Sequence, residues 1–152
     1  YYHFSDKEQL YLDAVGHAFK EKASILKAAI DGAGTPWTRL ESFVAGFAQL
    51  LAKEKDFQRL MQWVLLDSDE QRQHKLSDKV FQELFAAVHK LAGELGQGYD
   101  AHLLAVTIFG LIVFSFEAGN ARRFLPGYQS QHENPAILAQ HVMGLLRHGL
   151  LA

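Results

Sequence analysis

The sequence contains no cysteine. That excludes a disulfide framework, thiolate zinc sites and cysteine redox chemistry. It has only three prolines, Pro36, Pro126 and Pro135, so long stretches are free of helix breakers. No apolar run reaches the ~20 residues that cross a bilayer. The longest, Leu103 to Phe116, is about two thirds of that length, and Asp6, Lys7 and Glu8 rule out a signal peptide at the start. Charge of one sign is scarce too. Lys and Arg number 15 against 17 Asp and Glu, a net charge of -2, far from the basic excess of a self-sufficient DNA-binding module. There is no glycine-rich phosphate loop, no Gly-x-Ser-x-Gly elbow and no His-Glu-x-x-His run. The sequence therefore points away from an enzyme and from a bound cofactor, and it suits a cytoplasmic protein with no membrane partner.

What the chain does have is apolar residues at helical spacing. Hydrophobic residues make up 49% of its 152 residues, including 11 Phe, enough for one domain with a sizeable core. No segment alternates as a strand does, and the expected fold class is all-α with about six helices. The first runs from about Asp6 to Ile30. Overlapping capping boxes, Ser5 with Glu8 and Asp6 with Gln9, open it, and Gly32 and Gly34 follow it. Thr35 and Pro36 start the second, with Leu40, Phe43, Val44, Phe47 and Leu51 on one face; Lys53 to Asp56 reads as a turn. A short third helix carries Phe57, Leu60, Met61, Val64 and Leu65. Asp67 to Glu70 restart the chain into a fourth helix reaching Leu95. Asp100 caps a fifth, expected to be buried on nearly all sides and to end near Phe124, and Asn134 with Pro135 opens the last, to about Leu150.

The opening run, Tyr1-Tyr2-His3-Phe4-Ser5-Asp6-Lys7-Glu8-Gln9-Leu10, resembles the exit of the helix-turn-helix in TetR (tetracycline-repressor) family transcriptional regulators. There a Tyr-Tyr-His-Phe-like run closes the recognition helix, and after a two-residue turn a Lys-Glu-x-Leu start opens the next long helix. Asp6 stands where that family usually has Ser, and both cap helices well. The motif covers about ten residues; the rest of the likeness is architectural, in the number and order of helices. The resemblance implies that residues 1–5 are the tail of a DNA-binding domain lying ahead of Tyr1, and that residues 6–152 form the ligand-binding and dimerisation domain of a repressor. Tyr1, Tyr2, His3 and Lys7 would then contact DNA phosphates, contacts that position a protein without reading bases. Operator DNA would be bound through the N-terminal domain before them. The alternative is a stand-alone helical module that binds an apolar ligand or a protein partner and has no DNA function.

The resemblance also implies a homodimer paired through the last two helices. Candidates on the fifth are Leu104, Ile108, Leu111, Ile112, Ser115 and Gly119; on the last they are Leu138, Val142, Leu145, Leu146 and Gly149. An effector pocket among the first five helices would draw on Phe43, Phe47, Met61, Trp63, Phe85, Phe109 and Phe116. Gln62, His89 and Thr107 would supply polar anchors for a small, mostly apolar molecule. No metal site is expected. His141 and His148 are two helical turns, about 10 Å, apart. Asp67-Ser68-Asp69 begins like a calcium loop, but Arg72 and Asp78 occupy positions that need Gly and Glu. Glu117, on the apolar fifth helix, is expected to be buried near Arg122, Arg123 or a partner subunit.

Overall fold

The computed structural model describes the backbone of residues 2–151 and the side chains between residues 7 and 150, apart from those of residues 79 and 80. Tyr1, and the side chains of Tyr2 and His3, lie outside the described residues. The chain is all-helical, and no strand occurs among the described residues. Helix α1 spans Tyr2–Asp31, α2 Pro36–Lys53, α3 Lys55–Leu66, α4 Glu70–Leu76, α5 Gln82–Leu95, α6 Ala101–Glu117 and α7 Pro135–Leu151. A π-helical turn, Ser77–Phe81, joins α4 to α5, and short 3-10 turns occupy Gly119–Phe124 and Ser130–Glu133.

The breaks follow local chemistry. The Thr35 hydroxyl accepts from the Thr38 amide at 3.2 Å, ahead of Pro36. The Asp100 carboxylate accepts from the Leu103 amide at 2.9 Å, and Asn134 accepts from the Ala136 amide at 2.9 Å. Each satisfies an amide that the first helical turn leaves without a partner. Four boundaries differ from expectation. Helix α1 starts at Tyr2 rather than Asp6. With no Pro or Gly nearby, each residue added to a helix gains a backbone hydrogen bond, and that outweighs the caps at Ser5 and Asp6. Only Glu54 separates α2 from α3. The long fourth helix is interrupted by the π turn. Helix α6 ends at Glu117, because Gly119 takes a left-handed conformation (φ 51°) that only glycine adopts cheaply.

Helix α2 is the centre. Leu40, Phe43, Val44, Phe47, Ala48 and Leu51 are all shut from water. Around them pack α1 through Leu12, Val15, Phe19, Leu26 and Ile30, and α6 through Leu104, Ala105, Ile108 and Ile112. Helix α7 adds Val142, Met143 and Leu146. Surface pairs tie the ends: Arg39 meets Glu94 at 2.9 Å and Arg147 meets Glu41 at 3.1 Å, its guanidinium 5.3 Å from the Trp37 ring.

Two polar joints hold the connections. At the α3–α4 joint the Arg72 guanidinium grips both Asp67 oxygens, at 2.5 and 2.8 Å. Asp69 caps α4 at the Arg72 amide, at 3.0 Å. Gln73 donates to the Asp67 carbonyl at 2.9 Å and to the Val64 carbonyl. Arg72 also lies 5.9 Å from the Tyr11 ring, which links the joint to α1. In the α6–α7 connection Glu133 accepts from Arg122 at 3.0 Å, Arg123 at 2.9 Å and the Tyr128 hydroxyl at 2.8 Å. The Arg72 hydrogen bonds hold the Asp67 carboxyl down at about 2. Those of Tyr128 and then Arg123 hold Glu133 at about 2.

Phe43→Ala should cost about 3–5 kcal/mol, as in other deeply buried Phe sites, read as a lower urea midpoint with an unchanged slope. The two carboxylates are depressed below their unfolded values near 4. Their contribution to stability is therefore present above about pH 4 and lost as pH falls toward 2. An Asp67→Asn, Glu133→Gln double variant should unfold at lower urea than the parent at pH 6. The gap should narrow toward pH 2; a gap independent of pH would show that neither joint stabilises the fold through its charge.

Candidate functional site

One face of α6 is left open along much of its length. His102, Val106, Gly110, Phe114 and Glu117 recur every three or four residues along it, and all five are exposed. They form one wall of an apolar cavity of about 590 Å³, within the 300–1,000 Å³ range of small-molecule sites. Phe19, Ala23 and Leu26 of α1 form the facing wall, with Phe57, Met61 and Leu65 of α3 beside them. Phe47 of α2 and Phe109 and Val113 of α6 floor it. Ser77, Phe81, Gln82, Leu84 and Phe85, from the π turn and the start of α5, close the remaining side. The α6 helix was expected to be buried on nearly all sides. Instead its apolar circumference is divided between the core and this cavity.

The rings are mutually packed rather than scattered. Phe19 lies 4.8 Å from Phe57 and 5.5 Å, edge-on, from Phe81. Phe109 meets Phe47 edge-on at 5.9 Å and stacks on Phe85 at 6.1 Å, and Phe85 lies 5.4 Å from the His102 ring. Such contacts fix ring orientation, so the walls are set before any ligand arrives. At the Glu117 end, Gln58 and Gln62 both donate to the Phe116 carbonyl at 3.3 Å and hold α3 against α6. The chemistry available is burial of an apolar body, with Ser77, Gln82, His102 and Glu117 as polar contacts at the edge.

Of the residues named from sequence for a pocket, Phe47, Met61, Phe85 and Phe109 line this cavity. Phe43 and Phe116 lie in the core. The Gln62 amide is taken by the Phe116 carbonyl. Trp63 is 70% exposed on the opposite side of α3. His89 is exposed and stacks at 6.3 Å on Phe85 outside the cavity lining, and Thr107 is exposed beside the cavity stripe. Among the residues named for subunit pairing, Leu104, Ile108, Ile112, Val142 and Leu146 are buried within the single chain, because α6 turns its richest apolar row to α5 and α2, and α7 turns its own to α2. Leu111, Ser115 and Leu138 are half-buried, and Leu145 and Gly149 are exposed. Gly119 serves as the stop of α6. Glu117, expected to be buried, is exposed; Arg122 and Arg123 pair with Glu133 instead.

Sequence reasoning missed Phe19, Phe57 and Phe81, which it assigned to the core or left unassigned, and the row from His102 to Glu117. The signal for that row was present: five residues at helical spacing with a polar residue at each end. A second, shallower groove of about 440 Å³ lies between the start of α1 and the α3–α4 joint. Its lining includes Lys7, Tyr11, Trp63, Leu66 and the Asp67–Arg72 pair.

Gly110 has open space where a Cβ would stand. Gly110→Leu should therefore fill the cavity without disturbing the core. The fluorescence of N-phenyl-1-naphthylamine should rise on binding the parent protein and be lost, with at least about tenfold weaker affinity, equivalent to 1.4 kcal/mol, in the variant. Unchanged binding would place the probe elsewhere. No known family model, curated protein or solved structure matches this chain.

Proposed function

We propose that this chain is the effector-binding and dimerisation part of a TetR-type transcriptional regulator, a cytoplasmic homodimeric repressor released from operator DNA by a small, largely apolar effector. One observation carries the reading. Helix α1 walls the cavity with Phe19, Ala23 and Leu26 and runs unbroken to Tyr2, inside the segment that resembles a helix-turn-helix exit. An occupant that favours one tilt of α1 over another thereby favours one position of whatever precedes Tyr2. Without a difference in affinity between the two tilts, nothing shifts. The pairing surface in this reading is built from Leu145 and Gly149 with Leu111, Ser115 and Leu138, the part of the α6–α7 surface that the core leaves partly open.

A stand-alone module binding an apolar ligand is favoured by a different observation. The backbone is helical through Ser5 and Asp6, where the resemblance implies a turn. Selection of random duplex DNA by the full-length natural protein separates the two. A regulator should enrich a palindromic site with half-sites about one helical turn (~34 Å) apart, and an apolar ligand that fills the cavity should release it. If nothing is enriched above salt-sensitive non-specific binding, the regulator reading fails and the stand-alone module stands.

A further inference from the structure

The cavity is charged at one end only. Among the described residues its lining contains no Lys or Arg, and Glu117 is the single formally charged one. Glu117 is the last residue of α6, where the final carbonyls add partial negative charge. The arginines that follow it most closely in sequence, Arg122 and Arg123, are held by Glu133 at 3.0 and 2.9 Å. No hydrogen bond or ion pair engages the Glu117 carboxylate among the described residues. One turn before it, the Phe114 ring is 68% exposed at the cavity edge.

We propose that the cavity takes an organic cation with an aromatic or apolar body, its charged head at Glu117 and its body among the phenylalanine rings. This rests on the reading of the cavity as a ligand site and adds the class of ligand. A ring face attracts a cation, and more strongly where water is excluded. The carboxylate supplies the opposite charge, and its position at the edge lets the head keep part of its hydration, so a buried unpaired charge is avoided. A carboxylate or phosphate ligand would meet Glu117 with no described Lys or Arg in the lining to offset it. A neutral ligand would gain from burial alone. His102 stands 15 residues earlier on α6, about 22 Å away along the axis, beyond the ~8 Å screening length at physiological salt. Its charge state therefore leaves the Glu117 end unaffected.

Two ions of nearly equal size and shape test this directly: tetraphenylphosphonium and tetraphenylborate, each displacing neutral N-phenyl-1-naphthylamine. The phosphonium should bind at least about tenfold more tightly than the borate. Glu117→Gln should remove most of that preference, and Glu117→Lys should reverse it, each read as the ratio of the two ions' affinities so that any change in naphthylamine affinity cancels. The side chain is exposed, so both variants should keep the parent urea midpoint. If naphthylamine binds and Gly110→Leu abolishes it, but the two ions bind equally or Glu117→Gln changes nothing, the cation assignment is overturned and the cavity remains a site for neutral ligands. If naphthylamine also fails to bind, the ligand-site reading falls with it.

Discussion

Helix α6 carries apolar side chains around nearly its whole circumference, and its neighbours can cover only part of it. One half, which carries Leu104, Ala105, Ile108 and Ile112, is buried in the core among α5, α2 and α7. The other half, from Val106 through Gly110 to Phe114, is left open along much of its length and leaves an apolar hollow. A helix apolar on all sides normally sits in a core or a membrane. Among the described residues no helix is long and apolar enough to cross one. The surplus surface is instead set at a distance from α1 and α3 and left open to an occupant. Every feature of the candidate site follows from that division: the ring pairs opposite it, Gly110 as the gap in the wall, and the polar residues confined to the two ends of the row.

What joins the hollow to the rest of the molecule is α1. Its buried residues, Leu12, Val15, Phe19, Leu26 and Ile30, anchor it over most of its length. The Arg72 guanidinium at the Tyr11 ring ties it to the α3–α4 joint. Beyond that joint it continues as a lever. From Phe19 to Tyr2 the helix rises about 25 Å, so a tilt of roughly 5° at the cavity moves its far end by about 2 Å. In the proposed regulator, an occupant that displaced the wall of rings would tilt the helix, and packed cores transmit such a shift because they resist compression. The Asp67–Arg72 grip lies where this lever would pivot, and its two direct hydrogen bonds hold the α3–α4 joint at a defined setting.

The helices were legible in the sequence because their limits are local. Thr35-Pro36, Asp100 and Asn134-Pro135 each set a start within a few residues. The cavity was much less legible, because its lining depends on which face of each helix meets which neighbour. Phe43 and Phe47 are one turn apart on α2, yet Phe43 is core and Phe47 also floors the cavity. His89 and His102 both approach Phe85, and only His102 lines the cavity. The pairing residues failed for a related reason. The richest apolar rows of α6 and α7 are the ones a core claims first, so choosing the most apolar positions selects the interior. Glu117 looked buried because its neighbours in sequence are apolar, although its own row is the open one.

The π turn shows why some of this geometry leaves no trace in the residues. Leu76 and Val88 are both fully buried, yet they are 12 residues apart, which in an uninterrupted α-helix sets them about 120° apart around the axis. A π turn inserts the equivalent of one extra residue, about 100° of rotation, and brings the two to within about 20° of each other. The same shift turns Leu84 and Phe85 toward the cavity. Nothing between Ser77 and Phe81 is a Gly or Pro, so the irregularity has no local cause to read. Its cause is tertiary: α4 must bury Leu76 under the α3–α4 joint while α5 buries Val88 and Leu91 and still presents Phe85 to Phe109. A regular helix satisfies one of those demands at a time. The wall of rings therefore depends on a defect in the helix that carries it.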